Sequence, residues 1–276
     1  MELGMYTKEL RRPTVESLFE SVRALGFAQV QFDFSSVCGE ELPREIPSAL
    51  AERIARAAGA NGVKIAAVNG TFNMIAPDPA ERADGLKRLA VLAASCAALN
   101  CGLITLCSGS RSPEGMWRWH PDNGAEAAWD DMRAVMDAAV AIAERYDVCL
   151  GLECEASNVV NSPEKGRRLL DEIGSPRLKV IMDCANLFQR GEAHPENVRG
   201  IMKNAFDLLG RNIALAHGKD ILEGPGLDFA PAGQGIVDFD YYRALLAEYG
   251  YSGGMILHGI KREEDFSDSV RFMSNL

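Results

Sequence analysis

Short apolar runs alternate with longer segments in which apolar residues recur at helical spacing, and the alternation repeats eight times. The short runs cover residues 3–6, 28–33, 63–69, 103–107, 148–153, 178–183, 212–217 and 254–258. Their length and bounding turn residues predict strands. Between and after them the pattern predicts helices over 14–25, 48–60, 78 to about 100, 125–146, 162–174, 195–209, 239–249 and 263–273. Local signals support several starts: Pro13-Thr14 with Ser17 before the first helix, and Ser162-Pro163-Glu164, a Ser cap with Pro in the first turn. Strict βα alternation with apolar strands implies a parallel sheet covered by helices. Eight such units in 276 residues predict a closed (β/α)8 TIM barrel, a single domain spanning 1–276. A doubly wound open sheet, the alternative α/β architecture, would carry a glycine-rich first βα turn, and Met5-Tyr6-Thr7-Lys8 offers none.

In a barrel of this kind the C-terminal ends of the strands face the active site. The residues there are Asp33, Asn69, Cys107, Glu153, Asp183, His217 and His258, with Tyr6 less clearly placed. Glu153 ends an apolar run, Val148-Cys149-Leu150-Gly151-Leu152, where an unpaired buried carboxylate would be costly. Glu153, Asp183, His217 and His258 are metal-capable and fall one βα unit apart on four consecutive strands. Each has an ordinary structural reading on its own: Asp183 as a helix cap, either histidine as a hydrogen-bonded core residue. Converging on one arc of the barrel mouth, they point instead to one divalent cation. Two carboxylates and two imidazoles suit Mn, Zn, Co, Fe or Mg rather than Ca. Glu155 points the same way as Glu153, two residues further out, and has no assigned role.

Composition narrows the partners. Apolar content of 47% and charged content of 25% are those of a globular protein. A net charge of −10 argues against a nucleic-acid or anionic-membrane surface. The N-terminus has neither a basic region nor an apolar stretch of signal-peptide type, and no apolar run is long enough to span a bilayer. The seven cysteines form no CxxC pair and mostly sit inside apolar runs, as reduced core cysteines of a cytoplasmic protein do.

Across nearly the whole chain, in strand order, the sequence resembles the xylose isomerase-like TIM barrels, a family of sugar and sugar-phosphate isomerases and epimerases. The resemblance rests on Leu150-Gly151-Leu152-Glu153, on Val180-Ile181-Met182-Asp183-Cys184-Ala185-Asn186-Leu187, on Ala216-His217-Gly218-Lys219-Asp220 and on the turn Ala232-Gly233-Gln234-Gly235. It implies that Glu153, Asp183 and His217 ligate one divalent metal. It further implies proton transfer next to a carbonyl through a metal-stabilised enediolate, with Glu153 as the base. The chain departs from the family in two places. His258 stands where relatives usually have a second catalytic Glu, and Asn186 stands where they often have a substrate-contacting His. His258 can ligate the metal or act as an acid/base near neutral pH, but it does not simply repeat a carboxylate's chemistry. Family members are often dimers or tetramers, so a homo-oligomer is one expectation.

The long fourth connection, 108–124, carries Arg111, Trp117, Arg118, Trp119 and His120, residues suited to stacking on a sugar and binding its oxygens or a phosphate. Its alternative use is a lid packed on a neighbouring subunit. Asn69, Asn186 and Lys219 are further substrate-binding candidates, Lys219 alternatively pairing with Asp220 or Glu223. The expected partner is a small sugar or sugar phosphate. A lyase or dehydratase using the same enolate chemistry is the second reading, since a His acid at 258 suits departure of water. A non-catalytic sugar-binding protein is a third. A multi-zinc endonuclease would want more than four histidines and a basic face.

Overall fold

In the computed structural model, which describes residues 1–276, every strand of the barrel hydrogen-bonds in parallel to the next one in the chain. The order runs β1 (Leu3–Tyr6), β2 (Gln29–Phe32), β3 (Lys64–Asn69), β4 (Leu103–Cys107), β5 (Cys149–Glu153), β6 (Leu178–Asp183) and β7 (Ile213–Ile221). The last barrel strand, Met255–Leu257, pairs in parallel with both β7 and β1 and closes the ring. This is the (β/α)8 TIM barrel that the alternation predicts, built as one domain.

One element is additional. β7 does not stop at His217 but continues to Ile221, and the chain returns as an antiparallel strand, β8 (Phe229–Pro231), so the closing strand becomes β9. The Asp220 carboxylate accepts the backbone N–H groups of Ile221, Gly233, Gly235 and Val237 at 2.8–3.0 Å and gathers the following turn around itself. Glycine is required there: Gly233 has φ +89°, and a Cβ on Gly235 would lie 2.2 Å from the Ile221 carbonyl oxygen.

The outer helices form where caps and apolar stripes coincide. α1 (Val15–Ala24) starts from a reciprocal cap between Thr14 and Ser17. The next two helices are a single turn, α2 (Ser35–Cys38), and α3 (Ser48–Ala60). α4 (Pro79–Ser95) has Asp78 as cap and Pro in its first turn, and α6 (Pro163–Ile173) has Ser162 and Pro163 in the same roles. α4 ends five residues before the expected position near 100, because the chain tightens over 96–100 and Asn100 takes a left-handed φ of 52° to enter β4. The ring is completed by α5 (Glu126–Tyr146), α7 (Val198–Leu209), α8 (Phe239–Glu248) and α9 (Glu264–Ser274).

The main core lies between strands and helices, where Val30, Ile104, Leu150, Val180 and Met255 meet Phe19, Leu92, Met132, Leu169 and Phe206. A small inner plug of Ala67, Leu103, Ile181, Leu215 and Ile256 fills the barrel itself. The polar residues at the strand ends therefore stand on a packed floor. All seven cysteines are unpaired, and no helix is long and apolar enough to cross a membrane.

Candidate active site

Four consecutive barrel strands deliver Glu153, Asp183, His217 and His258 to one place, with one ligand-capable atom from each lying within 4.8 Å of all the others. The strand pleat does the positioning. Residues two apart on a strand face the same side, so His217 and Lys219 both face the mouth while Gly218 and Asp220 face away. Glu153 and Glu155 share a side in the same way, and both line the cavity.

Asp183 is fully buried, and its two oxygens have different work. Oδ1 accepts the backbone N–H groups of Ala185 and Asn186 at 2.9 and 3.2 Å. Oδ2 faces His258 Nε2 at 2.7 Å, Lys219 Nζ at 3.3 Å and His217 Nδ1 at 3.7 Å. Burial alone would raise this carboxyl, but Lys219 and the two imidazoles outweigh it and hold Asp183 well below the usual carboxylate range. Glu153 accepts from Asn186 Nδ2 through Oε1 and turns Oε2 toward His217 Nδ1 at 3.5 Å. Asn186 in turn accepts from Lys219 Nζ at 2.7 Å. Burial lowers Lys219, yet the carboxylates of Asp183, Glu153 and Glu155 more than compensate and raise it.

His217 supplies the test of whether a cation fits. Its Nε2 lies 2.7 Å from the Gln31 side-chain oxygen, which accepts the Nε2 proton and leaves Nδ1 as a lone pair. That Nδ1 is buried, has no hydrogen-bond partner and points at two carboxylates. Buried polar atoms are seldom left this way. A lone pair facing negative charge is favourable only with a positive charge between them. Burial lowers this imidazole, but Glu153 and Asp183 raise it further, to about 9, which places a proton where a divalent cation would otherwise sit. His258 is lowered, first by burial and then by Lys219 and His217, so it favours the neutral form that ligates metals. Two carboxylates, two imidazoles and an outer amide orienting one of them form a donor set that fits a divalent transition ion.

The opposite rim is closed by its own hydrogen bonds. Tyr6 OH and Asn69 Nδ2 both donate to Asp33 Oδ2, at 2.6 and 2.9 Å, and Gln31 Nε2 donates to Thr105 Oγ1 at 3.2 Å. Between the two rims lies a cavity of about 230 Å³ whose walls include Tyr6, Gln31, Glu155, Asn186, Lys219 and Trp117. The β8 hairpin supports Lys219 from outside, with the Phe229 ring 3.9 Å from Nζ. Glu9 accepts the Gly259 N–H at 2.7 Å and so anchors the loop that carries His258, while burial pushes its own carboxyl up to about 7.

Of the substrate-binding candidates, Asn69, Asn186, Lys219 and Trp117 line this cavity. His120 lies outside it, in an adjoining cleft, with Nδ1 accepting the Asp122 N–H. Arg111 stands apart from both spaces. Its guanidinium is drawn into an ion pair with Asp131, donates to the Ile75 carbonyl at 3.1 Å, and lines neither space. It braces the base of the long loop. Gln31, Glu9 and Tyr6 are site residues to which the sequence pattern assigned no role. For Gln31 a signal existed, since it precedes the strand-end Asp33 by two and must share its side.

A search of curated proteins returns no match. Among solved structures, 3-keto-D-glucoside 4-epimerase from E. coli superposes with a TM-score of 0.75 at 16% identity, covering 100% of both chains. The IOLI protein with a binding zinc atom gives 0.72 at 17% identity, covering 100% of this chain and 96% of that one. The probable 3-DHS dehydratase AsbF of Bacillus anthracis gives 0.76 at 12% identity over 100% and 99%. At these identities the likeness is one of fold. Residues 19–276, almost the whole barrel and all four clustered side chains, match the xylose isomerase-like TIM barrel family, and the chain belongs to it.

Proposed function

We propose that this protein is a divalent-metal-dependent sugar isomerase or epimerase that moves a proton on the carbon next to a carbonyl. One observation carries the reading: the buried, unpartnered Nδ1 of His217, aimed at Glu153 and Asp183 within a four-residue donor cluster. Glu153, Asp183, His217 and His258 would hold the ion. When bound, it supplies Lewis-acid polarisation of a substrate carbonyl and neutralises the negative charge developing on the substrate's oxygens.

The chain's own groups do the rest. Glu153 is the base: only one of its oxygens is engaged, by Asn186, and the other faces the cluster and cavity. Asn186 orients that carboxylate while itself held by Lys219. Lys219, raised by its carboxylate neighbours, stays protonated at neutral pH and can donate to a substrate oxygen. His258 has Nε2 turned into the cluster, 2.7 Å from Asp183. We assign it first to ligation. It returns a proton to substrate only if its ring turns. With one carboxylate base in place of the family's usual pair, a single base serving both proton transfers, as in aldose–ketose isomerisation, fits the residues best.

A second reading is a lyase or dehydratase using the same enolate chemistry, supported by the likeness in fold to the probable 3-DHS dehydratase. A non-catalytic sugar-binding protein is the third. The test is solvent-deuterium incorporation by the metal-loaded protein across aldoses and ketoses, with products resolved by chromatography. Carbon-bound deuterium in an isomer or epimer, lost on chelation and in Glu153→Gln, supports the first reading. A dehydrated product supports the second. Sugar binding without exchange supports the third.

A further inference from the structure

The geometry points to a substrate of two units: a reacting sugar in the inner cavity, joined by a glycosidic bond to a second sugar ring held on Trp117 and Trp119. This inference rests on the proposed sugar chemistry at the metal cluster and adds the class of sugar it acts on.

Size comes first. The inner cavity, at about 230 Å³, is below the range of roughly 300–1,000 Å³ that ligand sites usually occupy. It adjoins a cleft of about 870 Å³ formed by the long loop after β4 and the loops after β5 and β6. Trp117 lines both spaces, so the outer cleft lies directly beside the inner cavity, against the same indole. A single ring at the cluster would leave the larger space unused.

The chemistry of the cleft agrees with its size. Trp117 and Trp119 are 55% and 57% exposed, and no other aromatic side chain is among the large exposed apolar ones. Flat aromatic faces bordered by neutral amides and hydroxyls suit a sugar ring, which has apolar C–H faces and a rim of hydroxyls. Asn161, Gln189, Ser112 and Ser157 supply that border, and Arg190 adds a donor that forms no ion pair with any carboxylate. A phosphate would call for converging free cations, whereas Arg118 stands 3.9 Å from Glu114.

The loop is also built to hold this shape. Asn158 Oδ1 accepts the Gly109 N–H at 2.7 Å and its Nδ2 donates to the Met116 carbonyl at 2.8 Å. Asn73 donates to the Ser110 carbonyl at 2.8 Å, and Asn123 accepts the Arg111 N–H at 2.7 Å. These amides, of which Asn123 and Asn158 are buried and Asn73 is half-buried, fix the backbone on either side of the tryptophans while leaving the indoles out of the packing. Fixing exposed aromatic faces in place lowers the ordering cost of a ligand that covers them.

The test compares fructose with glucosyl-fructoses linked through O3, O4 and O6, using metal-loaded wild type and Trp119→Ala. Trp119 lines only the outer cleft and is half exposed, so its replacement spares the core. The two readouts are kcat/KM for deuterium incorporation and calorimetric binding. We expect at least one glucosyl-fructose to exceed fructose tenfold or more in kcat/KM, and Trp119→Ala to remove most of that ratio. Exchange with fructose and no gain from any second ring would overturn the inference and leave the proposed function standing. If no sugar is turned over, the proposed function fails, and binding alone decides the inference. Tighter binding of a glucosyl-fructose that depends on Trp119 sustains it, and equal binding sinks it. Trp119→Ala that splits an oligomer without changing either ratio makes the tryptophans a subunit contact and also overturns it.

Discussion

The two halves of the barrel mouth both hold buried carboxylates and balance them differently. On the arc of β1, β2 and β3, Asp33 gathers Tyr6, Asn69 and the Ser35 N–H, so its carboxylate is fully satisfied. On the arc of β5, β6, β7 and β9, two carboxylates and two imidazoles face one another, and one buried nitrogen has no partner. A satisfied buried network stabilises the fold and resists change, whereas a half-satisfied one is costly unless something completes it. The first arc is a rim and the second is a socket. Gln31 joins them, standing on β2 but reaching the His217 ring on β7.

The largest expected effect is at the socket. Glu153→Gln keeps the shape and removes the base, so the fold should persist by circular dichroism while turnover falls by roughly 10²–10⁴, the usual worth of general-base catalysis. Wild-type-like activity would remove Glu153 from that role. Next comes the bridge. Gln31→Leu deprives His217 Nε2 of its acceptor and should weaken metal affinity about 10–100-fold in competition titrations, as loss of an outer partner to a ligating His does. Unchanged affinity would mean that the Gln31 contact is only packing.

On the rim the expectation is the reverse. Asp33→Ala strands the hydrogen-bond donors of Tyr6 and Asn69 and should cost about 1–3 kcal/mol in denaturant unfolding while leaving metal affinity unchanged. Comparable loss of metal binding would erase the distinction between the arcs.

The smallest effect is on pH dependence. His217 is raised from 6.5 to about 9, so in protein stripped by a chelator its proton stabilises the fold fully below about pH 6.5, and that contribution is lost as pH rises through 9. Glu9, raised from 4.5 to about 7, acts in the same direction over its own window. Thermal melts should show Tm falling from pH 6 to 9.5 in chelator and falling less with a divalent cation, which takes the proton's place. Parallel curves with and without metal would argue that the ion binds elsewhere.

Much of this was legible in the chain. The spacing of apolar runs carries the barrel, because parallel strands buried on both faces must be apolar and must be separated by helices. The four donors stand out because each ends or extends such a run. The return strand β8 was not legible: it is three residues long and is a strand only through its antiparallel pairing with Lys219, Asp220 and Ile221, while the Asp220 carboxylate gathers the turn that follows it. The place of Arg111 was not legible for a related reason, since its charge sits in the loop next to the tryptophans while its partner, Asp131, is a turn into α5.

For Glu153, then, the sequence determined that a carboxylate stands at the C-terminal end of a buried strand, one βα unit from an Asp and aligned with two histidines. Period and spacing are properties of the chain, so they could be read without coordinates. Only the tertiary structure decided which atoms of those residues meet. Hydrogen-bond satisfaction is a property of neighbours brought together from distant parts of the chain, and it separates Asp33, closed by Tyr6 and Asn69, from Glu153, which faces a nitrogen with no partner.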